Sequence, residues 1–352
     1  MKPRSIISID VGYGNTKLVY RHLIDAQGHS RWSEFCFPSV APRAMAEDMI
    51  LGVNNPNRIL IEVDGQNYFA GLKPTSASVP RTLSPDYIGS VTHEVLLRTA
   101  IHIAMREAGH FQSEIDLLVL GLPVSGFQSN AKRLHEIAMR PRTVPVPVGM
   151  NHQFGEARSI EVKAKDCMIF PQPYGGFRLA ADTLTEDDPI FKNGMVSMVI
   201  DPGYRTFDWF VSSGLHPELN MSGSFDGGVS SILRAVSSKL GFDTGFGSLE
   251  FDMVEHGLNT GTINLGHTVI DMTPYRKVAN DAAEKEVSAF VTRLSATNAN
   301  ISRIFLTGGG AHFYEEALRK RLPGYEIISM ANSVMSNARG YWLAGADKFM
   351  NA

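Results

Sequence analysis

The sequence predicts an α/β protein built from two similar halves that face one ligand, and two stretches carry that prediction. In Ile6 to Tyr20 an apolar strand ends at Asp10, turns through Gly12-Tyr13-Gly14-Asn15 and leaves as a second strand opening with Thr16 and Lys17. In Met195 to Val211 the plan recurs, with Asp201 at the strand end, Gly203-Tyr204-Arg205-Thr206 in the turn and an alternating strand through Asp208. A third stretch, Ile301 to Ala311, reads as a buried strand ending in Thr307-Gly308-Gly309-Gly310 before a helix from about Phe313.

These stretches suit phosphate. Gly12 and Gly14 allow backbone conformations that other residues avoid, so the amides of a tight hairpin can turn towards one anion, and Thr16 and Lys17 add donors and positive charge. Asp10, at the strand end, can hold a hydrated Mg²⁺ that screens the same phosphates. One such hairpin alone reads first as a glycine turn that reverses the chain; its repetition far downstream moves the reading towards a ligand. The glycines at 308–310 let a flat ring or a phosphate approach the backbone.

Composition bounds the rest. With 352 residues, 43% hydrophobic and 20% charged, the chain has material for two cores. A formal net charge of −3 gives no general pull towards nucleic acid or anionic membrane, so a DNA role calls for an adaptor protein. Cys36 and Cys167 are the only cysteines, which supports neither a disulfide framework nor a four-cysteine zinc site and points to a reducing cytoplasm. The apolar run at the N-terminus stops at Asp10, short of a signal peptide's core, and no stretch approaches the roughly 20 apolar residues of a membrane span.

In chain order, Arg31 to Phe37 alternates as a third strand and gives way to a Pro-, Asn- and Gly-bearing region through Asn57. Ile59 to Val63, the turn Asp64-Gly65 and Asn67 to Phe69 form a hairpin signal. Thr92 to Ala108 has helical apolar spacing and stops at Gly109, as expected of a core helix backing a sheet. Asp116 to Gly121 is a near-continuous apolar strand that suits cover on both faces. Ser129 to Met139 reads as a helix capped by Ser125, and Thr143 to Val148, with alternating prolines, as an edge segment. Ile160 to Phe170 supplies further strand, the Pro171 to Gly176 stretch a loop, and Phe177 to Ala181 the start of a helix. Thr183 to Asn193 reads as a linker loop. In the second half, Gly227 and Gly228 precede a helix from Val229 to Leu240, either to let free amides meet an anion or as a flexible turn. Thr273-Pro274 opens a helix to about Ser295 with an apolar stripe read as core, and a last helix runs from about Ser333 to Lys348.

Other signals lead away from catalysis. His93-Glu94 lacks the second histidine that a zinc-protease helix carries, Ser125 lacks the glycine of a nucleophile elbow, and Arg319-Lys320-Arg321 reads as a solvated helix end.

Taken together, the chain resembles the actin-like ATPase superfamily, and within it the plasmid-segregation ParM/StbA type of bacterial actin. Asp10 to Lys17 looks like the first phosphate loop, Asp201 to Asp208 like the second and Thr307 to Gly310 like the adenosine motif. Leu118 to Pro123 and Asn337 to Gly340 look like the two connecting segments of the hinge. Each motif is loose, but five in the family's order along nearly the whole chain are specific.

The resemblance implies an actin-like fold of ribonuclease H-like duplicated domains with a nucleotide cleft between the halves: residues 1–180 with a C-terminal helix, 331–352, returning to them, and residues 181–330. It implies ATP/ADP and Mg²⁺ as cofactors, with Asp10 and Asp201 acting on the metal through water. It further implies nucleotide contacts at Gly12, Tyr13, Gly14, Asn15, Thr16, Lys17, Gly203, Tyr204, Arg205, Thr206, Gly227, Gly228, Gly308, Gly309 and Gly310. Gln172 looks like the position that orients attacking water; it also reads simply as a loop residue between two prolines. As a neutral amide it cannot remove a proton, so hydrolysis is expected to be slow. Self-association into filaments, a DNA-binding adaptor, no direct nucleic-acid contact and no membrane complete what the resemblance implies. A metabolite kinase of the same superfamily and a non-polymerising nucleotide-binding scaffold are the alternatives.

Overall fold

The first hairpin pairs Ile6–Val11 (β1) with Asn15–Ile24 (β2), and the antiparallel register sets Asp10 opposite Lys17 and Val11 opposite Thr16. The structure, a computed structural model, describes residues 4–350 apart from 46–57, 72–80, 82–83, 110–111, 151–156, 192–193 and 296–299. The Pro-, Asn- and Gly-bearing region expected through Asn57 lies, from residue 46 onward, outside the described residues. Contacts divide the chain into two compact units: Met1–Asp182 with Met335–Ala352, and Thr183–Val334.

In the first unit, Ser30–Pro38 (β3) continues the meander, and Ile59–Val63 (β4) with Gln66–Ala70 (β5) forms a separate hairpin. The β4–β5 turn places Asp64 and Gly65 at positive φ, the conformation that an Asp-Gly turn favours. Val91–Glu107 (α1) starts on a Ser90 side-chain cap and ends before Gly109, which has φ +66°. Glu114–Ile115 (β6) is followed by Leu117–Leu122 (β7), Val124–Met139 (α2), Arg142–Pro145 (β8), Ser159–Ala164 (β9), Cys167–Pro171 (β10) and Gln172–Asp182 (α3).

The main sheet has the order β10-β7-β1-β2-β3, with β7 parallel to both neighbours. That position explains the continuous apolar run of β7: alternate residues face opposite covers. Leu118 and Leu120, with Ile7, Ile9 and Leu18, face the core that α1 closes. Leu117 and Val119, with Ile6, face Tyr341 of the C-terminal helix Ser336–Met350. The proline-bearing β8 is an edge strand of a small sheet ordered β6-β9-β8, as its missing N–H donors require.

The second unit repeats the arrangement. Val196–Pro202 (β11), Thr206–Ser213 (β12), His216–Pro217 (β13) and Gly223–Asp226 (β14) precede Val229–Thr244 (α4) and Phe251–Thr260 (α5). Thr262–Leu265 (β15) and Thr268–Asp271 (β16) form a hairpin before Thr273–Ser295 (α6), Ile301–Leu306 (β17), Ala311–Arg321 (α7) and Glu326–Ser329 (β18). Here β11 pairs antiparallel with β12 and parallel with β17, which pairs parallel with β18. That is the pattern of β1, β2, β7 and β10. Tyr275, Ala279, Ala283, Val287, Phe290 and Leu294 form the buried stripe of α6.

Several expected boundaries are corrected. Helix α2 begins at Val124 instead of Ser129, with Pro123 at its N-cap, so Ser125 lies inside the first turn and makes no side-chain cap. Helix α3 begins at Gln172 instead of Phe177, because proline is accepted in a first turn whose N–H groups have no helical acceptor. Helix α7 opens at Ala311, two residues before Phe313. The strand β14, the helix α5 and the β15–β16 hairpin were not expected.

Two buried histidines of the first unit give a stability prediction. His93, whose Nδ1 has no hydrogen-bond partner among the described residues, and His102, whose Nδ1 meets the Pro145 carbonyl at 2.7 Å, are both lowered to about 4 by burial. Both are neutral in the fold and bind protons more readily when unfolded. Their contribution is therefore full above the ordinary 6.5 and is lost as the pH falls through about 4. Urea midpoints measured from pH 7 to pH 4 are expected to fall more steeply in the wild type than in His93→Leu.

Candidate functional site

The end of β1 builds the candidate site of the first unit around one buried acid. Asp10 is 1% exposed, and its two carboxylate oxygens are taken by different partners. Lys17, opposite it in register, donates from Nζ to Oδ2 at 2.9 Å, and Gln172 donates from Nε2 to Oδ1 at 2.8 Å. Gln172 stands there because α3 starts at that residue directly after β10. Its own carbonyl accepts the Tyr341 hydroxyl at 3.1 Å. The C-terminal helix reaches this point through close glycine contacts: a Cβ on Gly340 would lie 1.7 Å from the Gly175 carbonyl, and one on Gly121 would lie 2.0 Å from the Tyr341 hydroxyl oxygen.

The turn is held from its far side. The Gly14 carbonyl accepts the Ser39 N–H at 3.0 Å and the Arg81 Nε–H at 3.0 Å. Tyr13 stacks on Tyr87 at 4.9 Å and donates its hydroxyl to the Ser84 carbonyl at 3.3 Å. Gly12 is required by space, since a Cβ there would lie 2.9 Å from the Asn15 carbonyl. Thr16 corrects an expectation. As the neighbour of Lys17 on a strand it faces the other side of the sheet, where it is buried and its hydroxyl meets that of Ser39 at 2.9 Å. Its side chain therefore does not join Lys17 as a phosphate donor.

The second hairpin matches the first position by position. Asp201 pairs with Asp208 and Pro202 with Phe207, as Asp10 pairs with Lys17 and Val11 with Thr16. Gly203 and Tyr204 thus stand where Gly12 and Tyr13 do, and Arg205 and Thr206 where Gly14 and Asn15 do. The lysine of the first hairpin is replaced by a second buried acid, Asp208, which accepts the Thr206 hydroxyl at 2.5 Å. Tyr204 packs on its own core and Arg205 pairs with Asp226 at 3.0 Å.

At Gly227 and Gly228 the anion reading is corrected for this structure, because the amides already have acceptors. The Gly227 N–H donates to the Arg205 carbonyl at 2.8 Å, and the Gly228 N–H donates to Glu286 Oε2 at 2.9 Å. Glu286 also accepts the Tyr314 hydroxyl at 2.6 Å and the Ser231 hydroxyl, so a protein carboxylate occupies the start of α4. The next amides, Val229 and Ser230, donate to the carbonyls of Gly203 and Tyr204. Gly228, at φ +78°, is demanded by close approach: a Cβ would lie 2.5 Å from the Gly203 carbonyl.

The loop after β17 lies against Asp201. A Cβ on Gly308, at φ +87°, would lie 2.1 Å from Asp201 Oδ1, and one on Gly310 would lie 2.6 Å from Val229 Cγ2. Gly309 is exposed, with nothing within 4 Å of an added Cβ, so the fold itself leaves that position open to a ligand. Sequence reasoning passed over Ser39, Arg81 and Glu286 as site residues. Asp208 alone had a local signal, its matched spacing from Asp201.

Comparison with known proteins agrees with this duplicated plan. Residues 8–175 match the family profile for the actin-like proteins' N-terminal domain, and residues 199–320 the profile for the C-terminal part of the archaeal MreB-like actin homologue. The chain is thus similar to actin-like proteins in each of its two halves. Archaeal actin homologs of Thermoplasma acidophilum and Thermoplasma volcanium are each 25% identical over 343 residues, covering 96% of this chain and 97% of theirs. An archaeal actin homolog solved in complex with ADP superposes with a TM-score of 0.72 at 20% identity, over 97% of this chain and 99% of that one. A ParM filament structure from Clostridium botulinum gives 0.67 at 19% identity, over 98% and 99%. The actin-like fold is thereby established, and no particular type within it is singled out. Among the described residues no helix is long and apolar enough to cross a membrane.

The three glycines separate a folding role from a binding role. Gly308→Ala is expected to lower stability by about 1–3 kcal/mol, through positive φ and collision with Asp201. Gly309→Ala is expected to leave the melting temperature within a degree or so of wild type; equal losses in thermal melts of both variants would show that the loop needs every glycine for its fold.

Proposed function

We propose that this protein binds Mg-ATP, hydrolyses it slowly and assembles into filaments under nucleotide control. The observation that carries the reading is the Asp10–Lys17–Gln172 cluster: a buried carboxylate at a glycine hairpin, with a cation on one oxygen and a carboxamide on the other. The ADP bound by the archaeal homolog and the filament formed by the Clostridium botulinum ParM support it.

In this reading each hairpin is a phosphate-binding turn. Lys17, with the backbone of Gly12 to Asn15, neutralises phosphate charge, and the backbone of the Gly203 to Thr206 turn offers further phosphate contacts. Magnesium, when bound, supplies charge that shields the phosphate oxygens and favours their departure. The residues fit an ion held through water: among the described residues no three acids, histidines or cysteines cluster into a direct cage, while Asp10 and Asp201 are single carboxylates at strand ends. Gly309 is the position that approaches the adenosine.

Gln172 orients water. Its Nε2 is engaged by Asp10, which turns the carboxamide so that Oε1 is the group left to accept a hydrogen bond. An amide oxygen positions a nucleophile without deprotonating it, so the chemical step is slow. A slow step serves as a timer for a polymer, since a subunit held in one nucleotide state repeats a head-to-tail contact until hydrolysis releases it. DNA segregation fits this behaviour when an adaptor carries the DNA contact, because a net charge of −3 gives the chain no general pull towards nucleic acid.

Light scattering after ATP addition, followed alongside phosphate release, tests the reading. Wild type is expected to polymerise and then decay. Gln172→Ala is expected to bind ATP nearly as well, lose about 10²-fold in hydrolysis and form longer-lived polymer. Asp10→Ala and Asp201→Ala are each expected to weaken Mg-ATP binding or stop hydrolysis. Absence of polymer under every nucleotide and salt condition would leave a nucleotide-binding scaffold, and polymer that decays equally fast in Gln172→Ala would remove that residue from the mechanism.

A further inference from the structure

The two hairpins match in register, in loop length and in how the turn is pinned, which makes a difference in that pinning informative. In the second, the carbonyl of Arg205 accepts the Gly227 N–H at 2.8 Å, from the residue that follows β14. In the first, the equivalent carbonyl, that of Gly14, accepts the Ser39 N–H at 3.0 Å, from the residue that follows β3. The first carbonyl then has an additional partner, the Nε–H of Arg81 at 3.0 Å. The turn of the second hairpin carries an arginine of its own, Arg205, where the first has Gly14.

We propose that Arg81 is the turn arginine of the first hairpin: a positioning residue that fixes the Gly14–Asn15 peptide for a polyphosphate chain and adds a positive charge behind that peptide. This inference rests on the nucleotide reading given above.

Three physical arguments support it. In a trans peptide the C=O and the following N–H point in opposite directions. Tying the Gly14 carbonyl to Ser39 and Arg81 on one side therefore directs the Asn15 N–H to the other, where a hairpin amide can meet an anion. Charge is the second argument. Lys17 is paired with Asp10 at 2.9 Å, so the cluster of Asp10, Lys17 and Gln172 is neutral as a unit, and further positive charge at the turn strengthens the hold on a polyphosphate that also carries magnesium. Arg81 brings a permanent charge to the same turn. Conformational economy is the third. A glycine at position 14 leaves the peptide plane loosely determined, and an external hydrogen bond to its carbonyl removes that freedom before the ligand arrives.

The test uses the full chain with Mg-ATP, Mg-ADP and inorganic tripolyphosphate as probes, in titration calorimetry at low and high salt, with thermal melts of the ligand-free variants. Arg81→Ala is expected to weaken Mg-ATP and tripolyphosphate about tenfold and Mg-ADP less, with a flatter salt dependence and an almost unchanged ligand-free melt. Arg81→Lys, which keeps the charge and loses the planar donor, is expected to fall between, with the salt dependence retained. Equal affinities in wild type and Arg81→Ala would overturn the proposal. So would a uniform loss for all three probes accompanied by a lowered ligand-free melt, since Arg81 would then be a strut of the fold. If wild type binds none of the probes, the nucleotide reading itself fails and the inference with it, an outcome distinct from a normal wild type with an unaffected Arg81→Ala.

Discussion

A carboxylate that is 1% exposed must be matched by donors, and the structure around Asp10 is arranged to supply them. Lys17 reaches it only because the β1–β2 register sets the two residues opposite one another. Gln172 reaches it only because β10 ends, and α3 begins, at that residue. The start of α3 is in turn seated by the C-terminal helix, through the Tyr341 hydroxyl on the Gln172 carbonyl and the near-contact of Gly175 with Gly340. Chain segments far apart in sequence thus converge on one anionic group. A one-residue slip of β2 would send Lys17 to the opposite face and leave that group with a single neutral partner.

The second unit solves a related problem without a lysine. Asp201 and Asp208 stand opposite each other, and the nearby start of α4 is held by a third acid, Glu286, through Gly228, Ser231 and Tyr314. Glu286 acts there as an internal anion at a helix N-terminus, the position where partial positive charge collects. Because the following amides hold the carbonyls of Gly203 and Tyr204, Glu286 fixes the hairpin turn indirectly. The two turns therefore present different electrostatics on one backbone plan: an ion pair in the first and paired acids in the second. In the nucleotide reading both hairpins carry an acid for the waters of a cation, and the first alone adds a lysine for phosphate.

Much of this was legible in the sequence wherever the signal was short-range. Both hairpins, the continuous strand β7, the Asp64-Gly65 turn and the Thr273-Pro274 helix start are set by neighbours a few residues apart. Thr16 shows a rule left unapplied: adjacent strand residues point to opposite faces, so Thr16 and Lys17 do not serve one anion with both side chains. Gln172 was read into a loop because prolines and glycines surround it, although a first helical turn tolerates proline and the glycines serve contact with a helix from the far end of the chain. Glu286 had no local signal at all. It is 58 residues from the amide it holds and sits in a helix whose pattern reads simply as core and surface.

The pairing of Lys17 with Asp10 also constrains how the proposed ligand is accepted. An ammonium has three N–H donors, so in the nucleotide reading Lys17 would keep one on Asp10 Oδ2 while another meets a phosphate. Releasing it outright would leave a carboxylate with little access to water on the Gln172 amide alone, which is costly. A magnesium ion, if bound, would add positive charge near the phosphates, so phosphate and metal would favour one another. Gln172 would be held in the same way: with its Nε2 on Oδ1, the carboxamide would keep one orientation as the ligand arrives. In that reading the residue that aims a water molecule is anchored to the group least able to move away, the buried acid at the end of the first hairpin.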